Sequence, residues 1–250
     1  MGKYYNVTVD IEIPTKAVGQ HSVFADGKVL FDWNAFDVPK GAGRLLNVSA
    51  LITAKGDAGA TVNEIPFDLV FATTNNVSMG TLNGSANTAP NPDIIGHAKV
   101  GESGSYAPDL DGRSFTSTSM TPGDNDSTFP NVVLTGLPTT GTNVGFDKLF
   151  VGGIAKGALD FRSACTINNG TLDGSVFTIA DVDPRLFLAV GDKINVCTTA
   201  DTSVSKTLGT IKSMADANTI TLETTTENAV VNDDFIYHRH PIRLILSFEK

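Results

Sequence analysis

Two pairs of aspartates, Asp109 with Asp111 and Asp124 with Asp126, have the types and spacing for acid–base chemistry. Glycoside hydrolysis needs two carboxyls facing each other across a cleft at roughly 5–9 Å, one acting as acid and the other as base or nucleophile. Both pairs stand among Pro, Gly, Asn and Ser, where an aspartate more simply bonds its own backbone and shapes a turn. Asp124-Asn125-Asp126-Ser127 offers oxygen ligands suited to calcium, but lacks the following glycine and the closing glutamate of an EF-hand loop. A serine nucleophile needs a base that a third group holds in place. The histidines, His21, His97, His238 and His240, lie outside any nucleophile-elbow context, and Ser103 and Ser105 sit in the low-complexity run after Gly101. Gly152-Gly153, followed by Gly157, lacks the Gly-Lys-Ser/Thr ending of a phosphate loop and is expected in an ordinary loop.

Cys165 and Cys197 are the only cysteines, and neither has a Cys-x-x-Cys partner, so a zinc or redox centre is not expected. Two buried free thiols are the simpler expectation. A disulfide between them would close a loop of about 30 residues and add roughly 3 kcal/mol. His238-Arg239-His240, followed by Arg243, reads as a polar linker, with a pH-sensitive contact as the alternative because imidazole titrates near neutrality. These residues yield no catalytic, cofactor-binding or metal-ligating assignment, and no enzymatic activity or cofactor is expected.

The chain of 250 residues has 41% hydrophobic residues, globular values that suffice for one large domain or two small ones. Charged residues make up 18%, below the usual ~25%, and Thr, Ser, Asn and Gly take their place. Such residues favour strands and turns over helices, because their side chains compete for backbone hydrogen bonds. A net charge of −9 argues against nucleic-acid binding, which needs clustered Lys and Arg. The start, Met-Gly-Lys-Tyr-Tyr-Asn, has no apolar core of a cleaved signal, and no apolar run is long enough to span a membrane. The sequons, such as Asn6-Val-Thr8 and Asn47-Val-Ser49, follow from the Asn/Ser/Thr-rich composition.

Strand signal is strongest at the two ends. Val7, Val9, Ile11 and Ile13 alternate with polar residues, and so do Ile242, Leu244, Leu246 and Phe248. Between them, Asp26-Gly27 suggests a tight hairpin joining apolar runs at 22–38. Alternation at Leu46, Val48, Ala50 and Ile52, then at Phe67, Leu69 and Phe71, and again over Asp147–Ile154, predicts further strands. Trp33 stands among apolar neighbours and is expected in the core. Residues 73–145 are rich in Asn, Thr, Ser, Gly and Pro and read as long excursions ordered by neighbouring subunits. After Arg162, five short evenly spaced strands (Ser175–Asp181, Lys193–Thr198, Thr207–Ser213, Thr219–Thr224, Asp234–His238) predict a compact barrel or sandwich. At most one short helix is expected. The expected fold is all-β: a jelly-roll-like β-sandwich from 1–164 plus 239–250, carrying an inserted small β-barrel or sandwich module at 165–238.

The stretch Pro66-Phe-Asp-Leu-Val-Phe-Ala-Thr-Thr, then Ser78-Met-Gly-Thr-Leu and Ile94-Ile-Gly-His, resembles virion structural proteins of tailed bacteriophages, notably marine and cyanobacterial ones. Val190-Gly-Asp-Lys-Ile-Asn-Val and Asn218-Thr-Ile-Thr-Leu are similar to small β modules inserted into virion proteins. The resemblance implies a capsid decoration (cement) protein on the head exterior, in contact with the major capsid protein; a symmetric homo-oligomer is the default, and a trimer is the expectation. A tail, baseplate or fibre component is the alternative within that class. From another class, a carbohydrate-binding module or glycan hydrolase remains open, although one Trp and four Tyr supply few aromatics for a sugar face.

Overall fold

A computed structural model describes residues 2–13, 23–87, 91–101, 113–118, 132–138, 146–161, 163–169, 174–197, 205–226 and 228–250. Its strands are, in chain order, β1 (Tyr4–Ile11), β2 (Val23–Phe24), β3 (Val29–Pro39), β4 (Gly43–Thr53), β5 (Phe67–Ala72), β6 (Ile94–Val100), β7 (Arg113–Ser117), β8 (Val132–Leu134) and β9 (Leu137–Pro138). They continue as β10 (Phe146–Ala155), β11 (Leu159–Asp160), β12 (Thr166–Ile167), β13 (Val176–Ala180), β14 (Lys193–Cys197), β15 (Ser205–Asp216), β16 (Thr219–Leu222), β17 (Phe235–His238) and β18 (Ile242–Glu249). Among the described residues the one helical element is a 3-10 turn, Pro184–Leu186, capped by the Asp183 side chain. The chain is all-β, as its composition predicts.

One sheet runs β1-β18-β4-β7, with β8 also on β4; the other runs β3-β10-β5-β6, with β9 also on β10. Eight strands of the two sheets pair outermost with outermost: β1 with β18, β3 with β10, β4 with β7, and β5 with β6, all antiparallel. A single long hairpin ribbon wrapped into two sheets gives this order, which is the jelly roll. The inward residues of both sheets, among them Ile11, Leu45, Phe67, Phe71, Leu244 and Phe248, share one apolar core. At the ribbon's end Tyr5 and Phe248 lie opposite each other and stack at 5.2 Å.

The barrel closes in the order β12-β13-β16-β15-β14-β17, with Thr166 of β12 returning to Phe235 of β17. Its own core holds Ile167, Phe177, Ile194, Leu208, Ile220 and Ile236. It lies in the connection from β10 to β18, the last turn of the ribbon.

Several local expectations are corrected. Asp26-Gly27 does turn, with Gly27 at φ 71, but no hairpin forms. β2 pairs with β11 and β3 with β10, because long-range partners bury more of these strands than a local turn would. In β4 the inward place belongs to Leu45; a register shift opposite Ser247 and Phe248 leaves Leu46 as the extra residue of a bulge. Gly152 and Gly153 lie inside β10, where a Cβ on Gly153 would come 2.3 Å from Phe31 Cε1. The glycine there allows a close approach and is not loop punctuation. Trp33 lies outside the core: half-buried on the outer face, it donates Nε1–H to Val77 O at 2.6 Å. The 73–145 stretch contains β6, β7, β8 and β9, so part of it is sheet.

Candidate functional site

The densest group of titratable side chains gathers where barrel meets sandwich. Asp192 is placed by a tight turn in which its own N–H donates to Ala189 O at 3.1 Å and Gly191 takes φ +90. From the barrel, His238 at the end of β17 sets Nε2 3.2 Å from Asp192 Oδ2. From the sandwich, Arg113 at the start of β7 donates Nη2–H to the same oxygen. Ala189 N–H donates to it at 2.8 Å. Burial alone would push the Asp192 carboxyl up, yet His238, Arg113 and the Ala189 amide hold it below its ordinary 3.8.

Beside this group Arg239 Nη2 lies 3.2 Å from Glu12 Oε2, and Arg243 Nε 2.6 Å from Asp10 Oδ1. Burial opposes ionisation of Asp10, but the Arg243 guanidinium and the nearby imidazoles hold its carboxyl below the usual range. Burial pushes His240 below its ordinary 6.5, with Asp10 pulling the other way. The His238–Arg243 segment is therefore no free basic patch: His238, Arg239 and Arg243 each face an acid.

Chemically, this junction fastens two units. His238 Nδ1 accepts the His240 N–H at 2.9 Å, which leaves Nε2 as the nitrogen that faces Asp192. Thr53, at the same junction, donates its hydroxyl to Pro241 O at 2.8 Å, and the space between these groups is about 20 Å³, room for one water. A larger groove of about 460 Å³ runs between the edges of the two sheets, along Val7–Asp10 of β1 and Asn34–Asp37 of β3. A third, about 120 Å³, is mostly apolar and lies between Trp33, Val70 and Ile154 of the sheet and the Val77–Asn87 loop. No group of three potential metal ligands occurs among the described residues.

Of the residues weighed from sequence, His21, Ser103, Ser105, Asp109, Asp111, Asp124 and Asp126 lie outside the described residues. His97 is exposed on β6, far in sequence from the junction. Cys165 and Cys197 are both free and buried, and burial raises their thiols to about 12 and about 11. Sequence reasoning missed Asp192 and Arg113, which sit 79 positions apart and carry no local motif.

No family model matches the chain, and no curated protein matches it. Among solved structures, a chain from the atomic structure of Sulfolobus Turreted Icosahedral Virus aligns over 99% of this chain and 90% of its own length, at 8% identity and a TM-score of 0.15. A TM-score so low carries no argument about fold or function.

Proposed function

We propose that this chain is a non-enzymatic structural protein of a virus particle: a decoration protein of a phage head that stabilises it through contacts with the major capsid protein. The supporting observation is the jelly-roll ribbon with an independently cored barrel carried in its last connection. Jelly rolls serve as viral capsid and sugar-binding domains and as cupins, and the step to the first of these is an analogy of fold. The described side chains favour the first of these uses over the second. A sugar site presents several exposed aromatics, whereas among the described residues Tyr4 is the one strongly exposed aromatic, at 71%. Trp33 is covered by the Val77 loop, Tyr5 is stacked on Phe248 and Tyr237 is buried.

Electron microscopy of native particles, labelled with antibody to this chain, tests the proposal. Label at regular lattice positions on the head supports a decoration protein. Label confined to the tail selects a tail component instead. Absence from every particle, together with binding on a glycan array, refutes the virion reading and favours the carbohydrate-binding one.

A further inference from the structure

The sandwich has four outer strands, and three carry features that block pairing with another chain. β3 has a register break, Pro39, and Asp32 and Asp37 on its outer side. β6 contains Lys99 and a register shift. β7 has only five residues, and β8, which continues the same edge along β4, only three. Short strands, bulges, lysines and prolines are the usual protections of a sheet edge. β1 has none of these: eight residues, unbroken register against β18, no Lys, Pro or Gly.

The direction of its free backbone groups follows from the ladder. Lys3 and Lys250 exchange both hydrogen bonds, Lys3 N–H to Lys250 O at 3.1 Å and Lys250 N–H to Lys3 O at 2.9 Å. In an antiparallel pair such residues alternate with ones whose N–H and C=O point away. Tyr5, Val7, Val9 and Ile11 therefore bond β18, while Tyr4, Asn6, Thr8 and Asp10 offer their backbone groups outward. The side chains of these four are exposed, and Val7–Asp10 line the open groove of about 460 Å³.

We propose that this edge pairs with the same edge of a second copy, as an antiparallel two-fold contact centred on Val7. In that register Asn6 faces Thr8 and Tyr4 faces Asp10 of the other copy, so no like charges are opposed. Asp10, the one charge among the four, is already held by Arg243. The half-buried Tyr5 and Val7, which pack on the core from this edge, gain cover from the added strand. A self-complementary edge closes on itself, which gives a dimer and ends further growth. The inference stands apart from the virion reading.

Light scattering behind size exclusion, on the full chain at tens of micromolar, tests it. The wild type is expected at twice the chain mass. Thr8→Pro and Asn6→Pro each remove an outward N–H that β18 does not use, so the fold keeps its ladder. Each is expected to raise the dimer dissociation constant at least roughly tenfold, since two hydrogen bonds and the ring's clearance are lost per dimer. The thermal midpoint of the diluted monomer should stay unchanged. Val9→Pro, which breaks a bond to β18, should lower that midpoint. A monomeric or trimeric wild type, or proline variants that dimerise like the wild type, overturns the proposal.

Discussion

At the residue scale, close packing and burial decide what each position tolerates. Gly153 meets the ring of Phe31, itself 1% exposed and locked in the core. Gly153→Ala is expected to cost about 1–3 kcal/mol of stability through overpacking, read from urea denaturation. Gly152→Ala meets Met79 Cγ at 2.8 Å, an unbranched side chain that can shift although it is buried, and should cost less than its neighbour. A Gly152 variant as damaging as the Gly153 one would show that the outer loop is as rigid as the core. The cysteines follow the same logic: with thiols raised to about 12 and about 11, neither should react with a thiol reagent at neutral pH until denaturant is added. Fast labelling of native protein would contradict their burial.

Titration acts at the same scale. The Asp192 carboxyl is held below 3.8 in the folded chain, so it contributes stability above its unfolded pKa and loses it as pH falls through the folded value. His240 is depressed below 6.5, so the unfolded chain takes up that proton first and stability falls as pH drops beneath 6.5. The thermal midpoint should therefore fall in two stages on acidification, first from His240 and then from the carboxylates. His240→Gln should remove the first stage and leave the second. An unchanged profile in that variant would show that another group causes the first stage.

At the element scale, β18 does the central work, since β1 and β4 flank it. Leu246 is fully buried, and Leu246→Ala should cost about 2–5 kcal/mol. Ile245, half-buried on the opposite face, should cost clearly less when cut to alanine. Equal costs would mean that the strand buries both faces. How far an element shows in the sequence depends on what it buries. β5 and β18 bury apolar residues at every second position, β1 turns its own the same way, and all three are legible. β7 turns Ser114 and Thr116 inward, at 1% and 0% exposure, and Ser114 Oγ donates to Asn63 O at 2.8 Å, so apolar alternation cannot reveal it. β12 closes the barrel with two residues, too few for any period. β6 leaves Ile94 at 46% exposure and buries Ala98 and Val100, so its apolar start misdirects. The junction is the least legible part, because Asp192, Arg113 and His238 come from three distant elements.

At the scale of the whole molecule, two apolar cores sit side by side, one in the sandwich and one in the barrel. Ala54 after β4 reaches into the barrel core, and the Asp192 cluster fastens the other side. On the sandwich, β1 runs in unbroken register against β18. All of it depends on the two ends of the chain being neighbours in one ribbon. Asn6 and Ser247 face each other as a non-bonded pair of that ribbon, the spacing at which cross-strand cysteines bridge. The direct measurement is oxidation of an Asn6→Cys, Ser247→Cys double variant. An intramolecular disulfide that forms almost completely and raises the thermal midpoint is the predicted result. Persistent free thiols in the folded protein would contradict the jelly-roll ribbon itself.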